Sequence, residues 1–221
     1  MNTKNSLIKN DPLDFIYLFL LATFPLALII GNFFINFYIF FFSISFFKNF
    51  KTNKSIFRDL IFYLLVFFFI SLLINVFFSS NIENSIPRVI KIFFVICFIF
   101  EIKRLIQKYE NTYTQNVFKF WFLIFLALSL DVLFETIFGY NIIGNKSYMP
   151  GRIASFFGDE LIIGAFYHGF VLYFISYLIK KKIKNHFLIL SIIFIFLISF
   201  LIGERSNFFK LFISVLIFTT F

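Results

Sequence analysis

The stretch GYNIIGNKSYMPGRIASFFGDE, residues 139–160, is the longest polar break in a chain that is otherwise almost continuously apolar. Its glycines, asparagines and proline are typical of a loop. It carries Arg152 and the one adjacent pair of acids in the sequence, Asp159 and Glu160. Apolar runs precede and follow it. We interpret those runs as a helical scaffold, and we expect this loop and the short turn GERS at residues 203–206 to carry any chemistry.

The composition predicts a membrane protein. Hydrophobic residues make up 61% of the 221-residue chain, and its mean hydropathy is +0.94. A soluble domain of this size would have to expose much of that apolar surface to water. We therefore predict an all-α fold, a polytopic membrane helix bundle of about eight transmembrane segments. The formal charge of +9 fits the excess of Lys and Arg in cytoplasmic loops of such proteins, so no nucleic acid partner is expected.

The apolar runs give the positions of the predicted spans, since a spanning helix needs about 20 apolar residues. Residues 15–47 are too long for one span, and Pro25, Gly31 and Asn32 interrupt them, which predicts a tight hairpin of two short helices. Residues 101–119 are basic and polar, which predicts an interfacial segment. The other predicted spans are residues 60–78, 86–100, 120–138, 161–179 and 187–202, followed by an apolar run from residue 208.

The last apolar run reaches Phe221 after about 14 residues, with no flanking charge. Such an end is unusual, because transmembrane helices need about 17 to 25 residues. We therefore predict that residues 1–221 form a single transmembrane domain that is incomplete at its C-terminus, the N-terminal part of a longer polytopic protein.

The distribution of Lys and Arg predicts the orientation of the chain. With the N-terminus in the cytoplasm, most of the 20 basic residues fall in inner loops, as the positive-inside rule requires. This orientation makes residues 139–160 an extracytoplasmic loop. It also puts the turn at residues 203–206 on the same, outer face.

Arg152 and Arg205 fall on the outer side, where the positive-inside rule does not explain them. A guanidinium presents a planar fork of donors that suits phosphate or diphosphate groups. Both residues are therefore candidates to bind the head group of a lipid-linked substrate. The alternative is structural: an arginine anchored at the membrane interface, or one paired with a neighbouring acid such as Glu204.

Four acids in or near this loop are further candidates. Asp159 is expected to cap the sixth helix, because unpaired N–H groups favour an acid there. Glu160 is free to pair with Arg152 or to act as a base. Asp131 and Glu135 are four residues apart, so they share one face of the fifth helix. We expect that pair to balance the charge of the arginines.

Histidine and cysteine offer little evidence of chemistry. His168 lies within the sixth predicted span, where a general base is conceivable, but we interpret it as a hydrogen-bonded packing histidine. No His, Cys or Asp cluster has metal-ligand spacing, and no glycine-rich phosphate loop is visible, so neither a metal nor a nucleotide site is predicted. The single cysteine, Cys97, excludes an internal disulfide.

The order of these residues resembles that of bacterial O-antigen polymerases and O-antigen ligases, a superfamily of membrane glycan-transferring enzymes. The resemblance rests on Asp131 and Glu135, the segment GYNIIG, then PGRIASFFGDELIIGAF and finally GERSNFF. It covers roughly residues 131–210. The pairing of GRIASFFGDELIIG with GERS one helix later is its most specific part, and upstream only the pattern of spans agrees.

The resemblance implies a fold of many helices in the bacterial inner membrane, with a large extracytoplasmic loop nearer the C-terminus. It implies transfer of an oligosaccharide from undecaprenyl diphosphate to a growing glycan or to the lipid A core, as in lipopolysaccharide, O-antigen and exopolysaccharide biosynthesis. No metal, nucleotide sugar or other cofactor is expected, because the lipid diphosphate is already a good leaving group. The implied partners are membrane lipid, the undecaprenyl-diphosphate-linked glycan, and a glycan chain-length regulator or other assembly proteins.

By motif position, the role of holding the diphosphate passes to Arg152 and Arg205 only. We predict a glycosyltransferase-type polymerase or ligase whose catalytic residues are Arg152, Arg205 and Glu160. Asp159 and Glu204 are expected to join the two arginines in binding substrate. The alternative function is a transporter or lipid-linked glycan flippase that makes no bond and uses intramembrane charges along a pathway. A third hypothesis is a structural subunit that only packs against a partner.

Overall fold

The computed structural model describes residues 12–50, 59–109, 113–158 and 162–220. These residues form α-helices, a short 3₁₀ turn at Ser155–Phe157 and no strand, which confirms the all-α prediction. The described helices are α1 (Pro12–Ile30), α2 (Asn32–Asn49), α3 (Leu60–Phe77), α4 (Ile82–Lys108), α5 (Tyr113–Phe138), α6 (Ile163–Lys180), α7 (Asn185–Leu201) and α8 (Arg205–Thr220).

Four helices in the described part of the chain are long and apolar enough to cross a membrane, judged by length and composition. α7 is apolar but shorter, with 17 residues. These helices indicate a membrane protein, in agreement with the composition. The predicted number of transmembrane segments, about eight, is larger than the number of candidate spans found among the described residues. The four candidate spans are Leu13–Ile30, Leu60–Phe77, Gln115–Phe138 and Ile163–Lys180.

The chain divides into two compact units, which are described separately. The first unit joins α1, up to Ala27, with Asn32–Val117, and so contains α2, α3 and α4. The second unit joins Leu28–Gly31 with Phe118–Phe221, and it contains most of α5 together with α6, α7 and α8.

α1 and α2 form an antiparallel pair, which confirms the hairpin predicted from the interrupted apolar run. Gly31 separates the helices at a φ of +129°, a conformation that favours glycine. The hydroxyls of Thr23 and Tyr38 lie 2.8 Å apart, and the ring centroids of Tyr17 and Phe42 lie 5.6 Å apart. The helices have 19 and 18 residues, so they are longer than the short helices that were expected.

A buried network of charges fastens α1 and α2 to α4 in the first unit. The guanidinium of Arg104 contacts Glu101 at 2.6 Å and Asp14 at 2.9 Å. Lys108 donates to the other oxygen of Asp14 at 2.5 Å, and the hydroxyl of Ser45 donates to Glu101. A tyrosine hydroxyl completes the set by donating to Asp14 at 2.9 Å. We call this set the ionic cluster: Asp14, Ser45, Glu101, Arg104, Lys108 and Tyr109.

The ionic cluster corrects the prediction that residues 101–119 form a separate interfacial segment. α4 continues without a break to Lys108, and Glu101 is fully buried. Burial is tolerated because each acid of the cluster has cationic and hydroxyl partners within hydrogen-bond distance. Burial alone would lower the pKa of the Lys108 ammonium, but its hydrogen bond to Asp14 and the charge of that acid outweigh burial, so the pKa is raised.

The core of the second unit lies among α5, α6, α7 and α8. At its centre Tyr167 is fully buried, with its ring stacked on Phe125 at a centroid distance of 4.5 Å. Its hydroxyl lies 3.3 Å from the hydroxyl of Ser129. The loop that joins α5 to α6 and the turn that joins α7 to α8 meet at one end of this unit. Aliphatic side chains complete the core: Val132, Val171, Ile195, Ile198, Ile202 and Leu211.

Candidate functional site

The loop between α5 and α6 begins with a compact turn around the buried side chain of Asn141. Gly139 leaves the helix at a φ of +75°. The side-chain oxygen of Asn141 then accepts hydrogen bonds from the N–H groups of Ile143 at 3.1 Å and Asn145 at 2.7 Å. Asparagine is common in turns because its side chain can replace a backbone acceptor in this way. The beginning of the loop is therefore ordered by its own polar groups.

Two buried acids of α5 bind the loop at two places, at Ile142 and at residues 154 and 155. One oxygen of Asp131 accepts from the N–H of Ile142 at 2.8 Å, and the other accepts from the hydroxyl of Ser155 at 2.5 Å. Glu135 accepts from the N–H groups of Ala154 at 3.3 Å and Ser155 at 2.7 Å. Hydrogen bonds to an ionised acceptor are stronger than neutral ones, and here they satisfy acids that burial would otherwise make costly.

The partners of Asp131 and Glu135 differ from the prediction. The acids share one face of α5, as their spacing predicted. Within the described ranges, however, they bind loop backbone and Ser155, and neither balances Arg152 or Arg205 by a direct ion pair. Backbone N–H groups can stabilise a carboxylate in place of a cation, so an acid pair in the sequence does not by itself identify its partner.

Ser155 is the residue on which these bonds converge. Its N–H donates to Glu135, its hydroxyl donates to Asp131, and its carbonyl accepts from the side-chain amide of Asn141 at 2.6 Å. Its φ is +53°, a conformation that persists in a non-glycine residue only where the surroundings hold it. We call the set Asp131, Glu135, Asn141 and Ser155 the Ser155 clamp.

The loop lies directly against the turn that precedes α8. The N–H of Ile153 donates to the carbonyl of Ile202 at 3.3 Å. Gly203 has a φ of +80°, and a Cβ there would collide with the carbonyl oxygen of Gly151 and lie 3.5 Å from the Cα of Arg152. Because only glycine permits this approach, the loop and the turn, which the sequence assigns to one face, are in backbone contact.

A cleft of about 560 Å³ opens at this contact. It has a polar part formed by the two glycines of the contact, Glu204 and Arg205, and an apolar part formed by aromatic and aliphatic side chains of α7 and α8. The cleft therefore offers a cation beside an apolar wall. Its apolar lining is Phe200, Leu201, Phe208 and Phe209.

Arg152 and Arg205 are both exposed. The ion pairs found in the described part of the chain involve neither guanidinium. Arg205 is the first residue of α8 and lines the cleft. Arg152 follows Gly151, which lines the same cleft. The structure thus brings the backbone of Arg152 beside the turn that leads into Arg205.

Glu204 lines the cleft, but its carboxylate is used within the protein. It accepts from the N–H of Gly164 at 3.4 Å and from the side-chain amide of Asn207. A Cβ on Gly164 would lie 2.5 Å from the same carboxylate. Glu204 therefore ties the start of α6 to the start of α8, and it is largely buried. The pairing of an arginine with Glu204, which was the structural alternative for Arg152 and Arg205, is not formed within the described residues.

The remaining predicted residues fall outside the described site. Asp159 and Glu160 lie outside the described residues. α6 begins at Ile163, and Ile162 occupies its N-cap position. His168 is half-buried, and its Nε2 lies 3.2 Å from the hydroxyl of Ser214, which confirms the hydrogen-bonded packing role. No group of three or more His, Cys, Asp or Glu side chains suited to a metal ion occurs among the described residues.

Sequence reasoning missed the two neutral members of the clamp. The sequence could have identified Asn141 as a turn residue, because asparagine followed closely by glycine is typical of a turn. No sequence pattern identifies Ser155, since its partners include backbone groups that every residue carries and its left-handed conformation is unusual for serine.

No family model, no curated protein and no solved structure matches this chain.

Proposed function

We propose that this chain belongs to a glycan polymerase or ligase of the O-antigen polymerase and ligase type. It would transfer an oligosaccharide from undecaprenyl diphosphate at the extracytoplasmic face of the inner membrane. In this proposal the chain crosses the membrane about eight times, with its N-terminus in the cytoplasm. The observation that supports the proposal most is the backbone contact between the loop and the turn, which brings Arg152 beside the segment that leads into Arg205.

The chemistry of the cleft fits a lipid-linked diphosphate. Such a donor joins a strongly anionic group to a long hydrocarbon chain, so its site needs cations beside an apolar wall. Arg205 supplies a cation in the cleft, and Phe200, Phe208 and Phe209 supply apolar surface. A guanidinium binds two oxygens of a phosphate at once through its planar fork of donors.

The two arginines suit this role because no described acid neutralises them. A guanidinium that is already paired with a carboxylate has little remaining affinity for a phosphate. The acids described near the cleft and the loop are used elsewhere: Asp131 and Glu135 hold the loop, and Glu204 ties α6 to α8. Among the described residues, therefore, no acid competes with a ligand for Arg152 or Arg205.

In the proposed reaction, a hydroxyl oxygen of the acceptor attacks the anomeric carbon of the donor sugar. The bond from that carbon to the diphosphate oxygen breaks, and the diphosphate leaves with the bonding electron pair. Arg152 and Arg205 stabilise the charge that develops on the leaving group. The proton of the acceptor hydroxyl passes to a base, for which Glu160 is the candidate by sequence.

The test is glycan transfer by the purified protein in liposomes supplied with an undecaprenyl-diphosphate oligosaccharide. Replacing Arg152 or Arg205 by Ala removes a group that stabilises the transition state, so we expect a rate loss of about 10²-fold or more. Lysine at either position should restore little of the rate, because it lacks the bidentate fork. The matched control is Lys146→Ala, which removes an exposed cation from the same loop and should leave the rate near its starting value.

The same assay separates a transferase from a flippase. A flippase moves the lipid-linked glycan across the bilayer but leaves its covalent structure unchanged. Glycan lengthening or ligation in liposomes that contain no translocation machinery supports the proposal. Movement of the donor across the bilayer with no new glycosidic bond would contradict the proposal. So would a ladder of glycan products that is the same in both alanine variants as in the unsubstituted protein.

A further inference from the structure

We propose that the second unit binds an anionic phospholipid in a groove along α5, α6 and α7, with the lipid phosphate against the turn that joins α6 to α7. The site is distinct from the arginine cleft. α6 has 18 residues, a length of about 27 Å at 1.5 Å per residue, and the cleft that Arg205 lines, here called the arginine cleft, lies by its first residues. The groove lies by its last residues, so the inference does not depend on the proposed function. We call residues Lys180, Lys181, Lys182 and Lys184 the lysine turn.

The groove has a volume of about 400 Å³, within the range of about 300–1,000 Å³ that is typical of ligand sites. Two serines, Ser129 and Ser191, are the polar side chains in its lining. Both hydroxyls already donate to backbone carbonyls of their own helices. The groove thus presents hydrocarbon to its contents, which suits an acyl chain. Its apolar lining includes Phe122, Leu126, Phe174, Leu178, Phe187 and Leu190.

The lysine turn connects two residues that line this groove. Leu178 and Phe187 both line the groove, and the lysine turn lies between them in the chain. Backbone hydrogen bonds order the turn, because the N–H of Lys181 donates to Tyr177 at 3.0 Å and that of Lys182 donates to Ile179 at 2.9 Å. The lysines are therefore held where the apolar surface ends, as the phosphate of a lipid requires.

The charge of the lysine turn is not compensated by nearby acids. All four lysines are exposed, and the ion pairs of the described part of the chain do not include them. The sequence contains no Asp or Glu from residue 161 to residue 203. Clusters of four or more basic residues directly after a membrane helix are typical of surfaces that bind anionic lipid.

An anionic phospholipid satisfies both parts of this surface. A soluble phosphate would leave the apolar groove empty, and a lipid without net charge would leave the net positive charge of the lysine turn uncompensated. α5 and α6 are both candidate membrane spans, so in a bilayer the groove would face acyl chains. Lys181 also lies with its amine 5.7 Å from the ring centroid of Tyr177, an arrangement in which an aromatic ring supports a cation at the boundary of apolar surface.

The test is native mass spectrometry of the purified, delipidated protein in detergent, with phosphatidylglycerol and phosphatidylcholine of equal chain length as probes. We expect one phosphatidylglycerol to be retained with a preference of roughly tenfold over phosphatidylcholine. Replacing all four residues of the lysine turn by Gln should abolish that preference. A control variant also removes four exposed positive charges but should keep it: Arg88→Gln, Lys91→Gln, Lys146→Gln and Lys210→Gln.

A second variant tests the groove separately from the charge. Ser191→Phe adds a large side chain to the open groove, so it should reduce retention of both lipids about equally while the melting temperature stays unchanged. Soluble glycerol 1-phosphate should not compete with phosphatidylglycerol. Loss of the preference in the control variant, competition by glycerol 1-phosphate, or unchanged lipid retention in Ser191→Phe would each overturn the proposal.

Discussion

Both units of this protein bury a pair of acids, but they satisfy these acids with different partners. In the ionic cluster of the first unit, the acids bind the cations of Arg104 and Lys108 and the hydroxyls of a serine and a tyrosine. In the Ser155 clamp of the second unit, the acids bind backbone N–H groups and one hydroxyl. The ionic cluster joins helix to helix, whereas the clamp joins a loop to a helix.

The difference shows how a membrane protein can keep cations available. In the ionic cluster, Arg104 is enclosed by two acids and has no free charge for a ligand. In the clamp, neutral donors satisfy the acids, so neither acid forms an ion pair with Arg152, three residues before Ser155. The first arrangement suits a structural role. The second arrangement orders a loop without forming an ion pair with the arginine of that loop. The proposed function requires such an arginine to bind the substrate.

The largest expected effect comes from breaking the ionic cluster. Arg104→Ala removes the described cation partner of the fully buried Glu101 and leaves Asp14 with Lys108 alone. Uncompensated buried charge typically costs about 3–5 kcal/mol. We expect the free energy of unfolding to fall by about that amount, measured by reversible unfolding in detergent micelles.

The control for this prediction is Arg88→Ala, which removes an exposed arginine from the same helix, α4. Surface substitutions usually change stability by less than about 0.5 kcal/mol. If both alanine variants lost the same stability, the ionic cluster would have no special role in holding the first unit together.

The clamp should give a smaller and more local effect. Glu135→Gln replaces one acceptor oxygen by an amide donor, so one of the N–H groups of Ala154 and Ser155 loses its partner. An unsatisfied buried donor costs about 1–3 kcal/mol. We expect amide hydrogen exchange to accelerate at residues 154 and 155, with little change in the first unit. Glu83→Gln, an exposed acid of α4, is the matched control, and equal exchange in both variants would contradict the clamp.

The sequence predicts the ends of some helices better than the ends of others. The end of α5 at Phe138 was predicted correctly, because the composition changes abruptly at Gly139. α8 begins at Arg205, three residues before its predicted start, since a polar first turn does not resemble an apolar run. The sequence thus predicts a helix boundary well where the helix is apolar up to its end, and less well where its first or last turn is polar.

The contacts between distant residues were beyond sequence reasoning. Asp14 and Arg104 are 90 residues apart, and nothing local in either segment indicates its partner. Ser155 is held mainly through backbone groups, which carry no residue-specific signal. By contrast, the shared face of the loop and the turn was predicted, because alternating spans put both connections on the same side.

A smaller effect tests the contact between the loop and the turn. Gly203→Ala puts a Cβ against the carbonyl of Gly151 in a left-handed conformation, whereas Gly139→Ala has the same kind of φ but meets no atom within 4 Å. In both variants the left-handed alanine destabilises the protein by about 1–2 kcal/mol. The difference between their transfer rates therefore measures the effect of the contact itself. We expect glycan transfer to fall further in Gly203→Ala, and equal rates in the two variants would mean that the contact is not needed.

The central claim is that Arg152 and Arg205 bind one diphosphate together, and a double-mutant cycle on binding of undecaprenyl diphosphate tests it most directly. Each single alanine variant should lose about 1.5–3 kcal/mol of binding free energy, as for hydrogen bonds to a charged group. Residues that share one ligand are coupled, so the double variant should deviate from the sum by about 0.5 kcal/mol or more. Strictly additive losses, or dissociation constants that do not change in either single variant, would contradict the account.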